Sequence, residues 1–146
     1  MSQTGTDTPS PAGLKAAAVR AAPLSPHLQV WRWHVTMAGS IATRATGVAL
    51  YVGALIVAGL GWALASGREA YGTAIALLHA PVGLVVLFGI AVSLFYHLAA
   101  GLRHLTWDLG KGFAPRTANA TAWGAFAFGI AGAVATFAAA LAVGAI

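Results

Sequence analysis

His97 lies inside the apolar run SLFYHLAAGL. An ionisable side chain within a membrane-length apolar segment is expensive, and marks a functional position by default. Neutral imidazole is a common axial ligand of haem iron. On a helix advancing 100° per residue, Gly101, His104 and Asp108 follow His97 at offsets of four, seven and eleven. All three then fall within roughly 40° of His97, provided the helix continues that far. Gly101 would let a flat macrocycle approach the backbone beside the imidazole. His104 would stand about 10 Å nearer the polar end of the helix, which suits a group meeting a haem propionate. Arg103 beside it offers a guanidinium fork to a carboxylate. The competing role for His97 is a plain hydrogen bond to a neighbouring helix.

A second constellation comprises Ser40, Thr43, Arg44 and Gly47. Ser40, Arg44 and Gly47 share a helix face at spacings of four and three. A hydroxyl and a guanidinium at a membrane boundary could hydrogen-bond a quinone carbonyl, and arginine donates from a fixed, permanently charged fork. On spacing alone the simpler account is a snorkelling arginine beside a helix-packing serine. His27, His34 and His79 read as interfacial polar groups and Met37 as a packing residue, so none is assigned a ligand role.

These residues must be positioned by elements that live in lipid. The 146-residue chain is 59% hydrophobic and 8% charged, against roughly 25% charged in soluble domains. Its fold class is all-α, with three membrane-spanning helices expected over about 35–65, 75–102 and 118–144. No charge interrupts Ala45–Ala65, and a helix needs about 20 such residues to cross the hydrocarbon. Ser66, Gly67, Arg68 and Glu69 mark a loop, and Pro81 suits the first turns of the second helix. The stretch 103–116, RHLTWDLGKGFAPR, reads as a polar connection rich in loop formers. The third helix is uncharged and rich in Ala and Gly, the composition of a close-packing membrane helix. Residues 1–22 read as a flexible tail without the apolar core of a signal peptide. Residues 23–34, with Trp31 and Trp33 around Arg32, read as an interfacial segment.

The net charge of +5 comes from basic residues flanking apolar runs, so it signals topology rather than nucleic-acid binding. Lys15, Arg20, Arg32 and Arg44 precede or open the first span, and Arg103, Lys111 and Arg116 separate the second and third. Only Arg68 lies between the first two. The positive-inside rule places the N-terminus on the cytoplasmic or matrix side. The absence of cysteine rules out disulfides, Cys-ligated zinc or iron–sulfur clusters and covalent c-type haem within this chain.

With PLSPHLQVWRW from Pro23, SIATRATGVAL from Ser40 and HLAAGLRHLTWDLG from His97, the chain resembles the cytochrome b membrane-anchor subunits of succinate dehydrogenase, respiratory complex II. The resemblance extends from about Pro23 to the C-terminus. It implies a three-helix anchor within a larger bundle completed by a second anchor subunit. It implies His97 as one axial ligand of haem b, the other coming from that second subunit, with Arg103 and His104 near the propionates. Ser40 and Arg44 match positions lining the ubiquinone site beside the iron–sulfur subunit, which a flavoprotein subunit supplies with electrons from succinate. The anchor itself would not be catalytic alone. The family's usual His-Arg stands here as Thr43–Arg44, and its Arg-Pro as Ala22–Pro23. Thr43 keeps a hydroxyl but cannot become cationic. The resemblance implies a multi-pass inner-membrane protein, and the weak targeting character of the N-terminal tail favours the bacterial membrane over the mitochondrial one.

Three other readings compete. A stand-alone small cytochrome b would need a second in-span histidine opposite His97, whereas His79 lies near the other face. A haem-free structural anchor would leave His97 as a packing group. A transporter would show paired broken helices or an internal repeat, and the sequence has neither.

Overall fold

The computed structural model describes residues 10–15 and 30–146. It divides into two units, one running to Arg32 and the other from Trp33 to Ile146. In the first, residues 11–15 form a single helical turn, where a flexible tail was expected. Ser10 caps this turn by accepting the Gly13 N–H at 3.2 Å. The rest of the expected tail, and the interfacial segment up to residue 29 with His27, lie outside the described residues.

The second unit is all helix: α1 (Val35–Ser66), α2 (Arg68–His79), α3 (Pro81–Asp108) and α4 (Pro115–Ala142). Of these, α1, α3 and α4 are long and apolar enough to cross a membrane, which gives the three expected spans. With 32, 28 and 28 residues, they extend about 48, 42 and 42 Å against a hydrocarbon core of about 30 Å. The 12 residues of α2 reach only about 18 Å and do not span.

The second span differs from its expected bounds at both ends. Ala80 is extended, with φ −63° and ψ 153°, because the ring of the following proline disfavours the helical region for the residue before it. Pro81 therefore opens α3, and residues 75–79 belong to α2. A single residue, Gly67, separates α1 from α2; its φ of 118° is accessible only to glycine. The other end of α3 continues through Asp108 instead of stopping near 102. Polarity in RHLTWD marks where the chain leaves the apolar layer, and none of those residues breaks a helix. The stop comes at Gly110, whose φ is 73°. There the Lys111 N–H bonds the Thr106 carbonyl at 3.1 Å and the Gly110 N–H bonds that of Trp107 at 2.8 Å, the closure expected of a left-handed C-terminal glycine. Pro115 opens α4, which ends at Ala142.

Within the bundle α3 touches both α1 and α4. Its buried residues are mostly small: Ala63, Ser93, Ala100, Ala122, Ala125 and Ala133, with Tyr96 the one large side chain among them. Small contact residues suit helices that associate in lipid, where close backbone approach replaces the hydrophobic drive. Edge-to-face pairs Phe88–Phe137 and Phe95–Phe128, with centroids 5.2 and 5.8 Å apart, extend the α3–α4 seam. At the far end α2 packs back along α1, with Ala74, Leu77 and Leu78 facing Ile56, Gly59 and Leu60.

Candidate functional site

Tyr96 fixes the register of the bundle around the candidate residues. Its ring packs on Phe126 of α4 at 4.8 Å, and its hydroxyl donates to the Gly39 carbonyl of α1 at 2.9 Å. One side chain thus ties all three spans. Two turns further along α1, Thr46 Oγ1 lies 3.1 Å from Nδ1 of His97. The imidazole rests on the backbone at Gly47, where an added Cβ would stand 3.5 Å from its Cε1. With Gly39 facing Arg103, Gly47 facing His97 and Gly53 facing Ile90, α1 and α3 run antiparallel. The Ser40–Arg44 turn therefore lies toward the same end of the bundle as Gly101 and His104.

His97 is half-buried, with one ring edge against α1. Beyond it His97, Leu98, Gly101, Leu102 and Leu105 border an open, apolar groove of about 410 Å³. A Cβ added at Gly101 would meet nothing within 4 Å. The continuity of α3 to Asp108 meets the condition for His97, Gly101, His104 and Asp108 to form one stripe. His104 is exposed, and its Nδ1 donates to the Ala100 carbonyl at 2.7 Å. Its Nε2 is thereby left as the free edge. Trp107 holds the ring edge-to-face at 5.2 Å.

Arg103 points elsewhere. Six residues past His97, it sits about 120° around the helix. Its Nε donates to Thr121 Oγ1 at 3.1 Å and its Nη2 to the Ala118 carbonyl at 3.0 Å, both on α4. Its guanidinium stacks 4.0 Å over the Trp107 ring. Nη1 faces Gly39, 3.9 Å from where a Cβ would stand. The structure thus engages Arg103 with α4 rather than with the His97 stripe, and three of its five N–H groups remain uncommitted.

On α1, Ser40 and Arg44 are both exposed and have no hydrogen-bond or ion-pair partner among the described residues. Ser40 stands apart from its kind. Beyond the first turn of each helix, every other described Ser and Thr returns its proton to a carbonyl one turn back. Thr43 does so to Gly39 at 2.9 Å, so its hydroxyl can accept but has no proton to offer outward. Ser40 and Arg44 are then the donors that α1 presents on this side. His34 caps α1 and His79 ends α2; neither joins the group. Among the described residues no cluster of three His, Cys, Asp or Glu could hold a bare metal ion.

Two contributors, Thr46 and Tyr96, escape sequence reasoning. A phenol in an apolar run must find an acceptor, which was a usable signal for Tyr96. Nothing in the sequence shows which threonine faces His97, because that depends on the register between two helices.

A profile of the succinate dehydrogenase/fumarate reductase transmembrane subunit family matches residues 19–137. Over 90 residues the chain is 41% identical to the succinate dehydrogenase cytochrome b556 subunit of Paracoccus denitrificans, a match covering 62% of this chain and 69% of that one. It is 43% identical over 93 residues to the mitochondrial succinate dehydrogenase cytochrome b560 subunit of Sus scrofa, covering 62% and 54%. With the cytochrome b556 subunit of Rickettsia felis the identity is 34% over 101 residues, covering 69% and 78%. The chain thus matches about half the length of the mitochondrial relative and more of the bacterial ones. With the family profile running from before α1 into α4, the chain belongs to the succinate dehydrogenase/fumarate reductase transmembrane subunit family.

Proposed function

We propose that this chain is a membrane anchor of succinate:quinone oxidoreductase that supplies one axial ligand to haem b and part of the ubiquinone site. The observation that carries the reading is the setting of His97: an imidazole backed by α1 at Gly47 and Thr46, bordering an apolar groove along Gly101 and Leu105. A flat macrocycle taking one nitrogen ligand from this chain would suit that groove, and a second anchor subunit would supply the other ligand. Bound there, haem supplies a one-electron store beside the route to quinone.

This chain's own residues hold and orient. His97 offers a ring nitrogen toward the groove. His104, seven residues nearer the end of α3, presents Nε2 to a propionate, and Arg103 adds N–H groups not engaged by α4. Ser40 and Arg44 donate to a quinone carbonyl oxygen, which becomes more basic as the ring is reduced, so both hydrogen bonds strengthen along the reaction. Electrons arrive from an iron–sulfur subunit, itself fed by a flavoprotein subunit, at the end of the bundle where Ser40 and Arg44 lie. With seven of the eight Lys and Arg residues flanking that end in the sequence, it faces the cytoplasm or matrix.

The test is a reduced-minus-oxidised optical spectrum of the purified complex, before and after His97→Ala. We expect a low-spin b-type signal that the substitution abolishes or converts to high spin. An unchanged low-spin signal in the variant removes His97 from the haem. The absence of haem from both samples reduces the chain to a haem-free anchor.

A further inference from the structure

The surroundings of the Thr46–His97 contact favour one direction for its hydrogen bond. Thr46 Oγ1 lies 2.8 Å from the Ala42 carbonyl and 3.1 Å from that of Thr43. Carbonyl oxygens only accept, and a hydroxyl carries one proton. That proton is therefore donated back into α1, and toward His97 the hydroxyl has only a lone pair. With the proton so placed, the 3.1 Å contact with Nδ1 is an N–H···O bond with the imidazole as donor. A neutral imidazole protonated at Nδ1 carries its free lone pair on Nε2.

We propose that Thr46 is a positioning residue that selects the Nδ1–H tautomer of His97 and fixes the ring plane, so that Nε2 meets iron ready to ligate. The inference rests on the reading of His97 as a haem ligand and goes one step behind it. Without Thr46 the ring could carry its proton on either nitrogen and turn about its bond to Cβ. With it, one edge is held by a hydroxyl on the neighbouring span and the flank is set by the bare backbone at Gly47, where an added Cβ would reach contact distance of Cε1. A ligating histidine generally gives its second N–H to an oxygen acceptor, which orients the ring and raises its basicity. Here that acceptor sits on α1, so the register of the α1–α3 seam is coupled to the electronics of the ligand. A more basic imidazole stabilises the ferric state, which predicts the sign of a change in potential.

The experiment compares the complete complex carrying Thr46→Val, nearly the same shape without the hydroxyl, with Thr46→Ser, which restores it. Thr46→Ala is a second hydroxyl-free variant, of a residue type that this bundle already buries at its helix crossings. The readouts are the haem midpoint potential and the transfer of haem to excess apomyoglobin. In Thr46→Val and Thr46→Ala we expect a higher midpoint potential and haem affinity lower by about 10- to 100-fold. In Thr46→Ser both should return toward the wild-type values. Wild-type potential and retention in the hydroxyl-free variants would overturn the role of Thr46. If His97→Ala meanwhile loses the low-spin signal, the haem-ligand reading survives that result. A low-spin haem that persists in His97→Ala overturns that reading and this inference together.

Discussion

Three hydroxyls lie within seven residues of α1, yet the structure gives them three different tasks. Thr43 closes on its own helix, Thr46 meets Nδ1 of His97, and Ser40 has no partner among the described residues. Residue type does not separate them, since all three are small alcohols on an apolar helix. What separates them is where the neighbouring helix lies. This ordering makes a prediction that side-chain chemistry alone would not. Ser40→Ala should lower kcat/KM for quinone by about 2- to 10-fold, the loss of one hydrogen bond to substrate, with the haem spectrum unchanged. Thr43→Ala should leave both almost unaltered, because its proton is already committed within α1. Arg44→Lys should be worse than Ser40→Ala, since a point charge on a flexible stem replaces a planar fork. Steady-state quinone reduction with purified complexes separates the cases. Damage from Thr43→Ala equal to that from Ser40→Ala would show that freedom of the proton is not what distinguishes these positions.

The helices impose a different kind of constraint, and it is strictest where α3 meets α4. A Cβ at Gly129 would stand 2.9 Å from that of Tyr96, and one at Gly132 would run into the Phe95 ring. Both glycines let α4 approach α3 at backbone distance. Gly132→Ala should therefore destabilise the complex by about 1–3 kcal/mol through overpacking. Gly124→Ala, also on α4 but with open space around it, should be neutral or slightly stabilising, because alanine is the better helix former. Apparent Tm in detergent reads the difference, and equal behaviour of the two would refute the close approach. The sequence alone revealed that α4 is a small-residue packing helix, but not which glycines do the packing. The same division runs through the other elements. Uninterrupted apolar length made the three spans legible. The start of α3 was misplaced because apolar residues on both sides of Pro81 hid the break that proline imposes at Ala80. Its end lies beyond the expected one because polarity in the sequence suggests a loop, while the helix runs through Asp108 and stops at Gly110. That second difference matters for the site, since only a continuous helix places His104 and Asp108 in line with His97. Arg103, adjacent in sequence, went the other way for the same geometric reason, to Thr121 and Ala118 of α4.

At the scale of the whole molecule, the fold buries almost nothing large within itself. Among the described residues Tyr96 is the one big buried side chain, while Trp62, Leu77, Val82 and Trp123 are 78%, 71%, 76% and 66% exposed. Lipid satisfies such a surface, but the polar stripe of His97, His104, Ser40 and Arg44 needs protein or cofactor against it, because polar groups facing hydrocarbon are costly. That need arises at only one end of the bundle. Arg103 brackets that end, reaching α4 through Thr121 and lying beside Gly39 of α1. The connection between α3 and α4 also lies there, whereas the turn at Gly67 and α2 lie at the other end. The sequence carries Arg68 alone on the α2 side, so the charge bias and the polar stripe point to the same face of the membrane. Orientation can be tested directly because the sequence has no cysteine. Ala70→Cys on α2 and Ala114→Cys before α4 both replace exposed residues, and neither alters a charge. A membrane-impermeant maleimide, read on this chain's band, should label Ala70→Cys from the outer face of sealed vesicles and not from the inner. Ala114→Cys should show the opposite preference. Labelling of Ala70→Cys from the inner face would invert the molecule. Ser40 and Arg44 would then lie across the membrane from any cytoplasmic or matrix electron donor, and the quinone site could not be where it is placed.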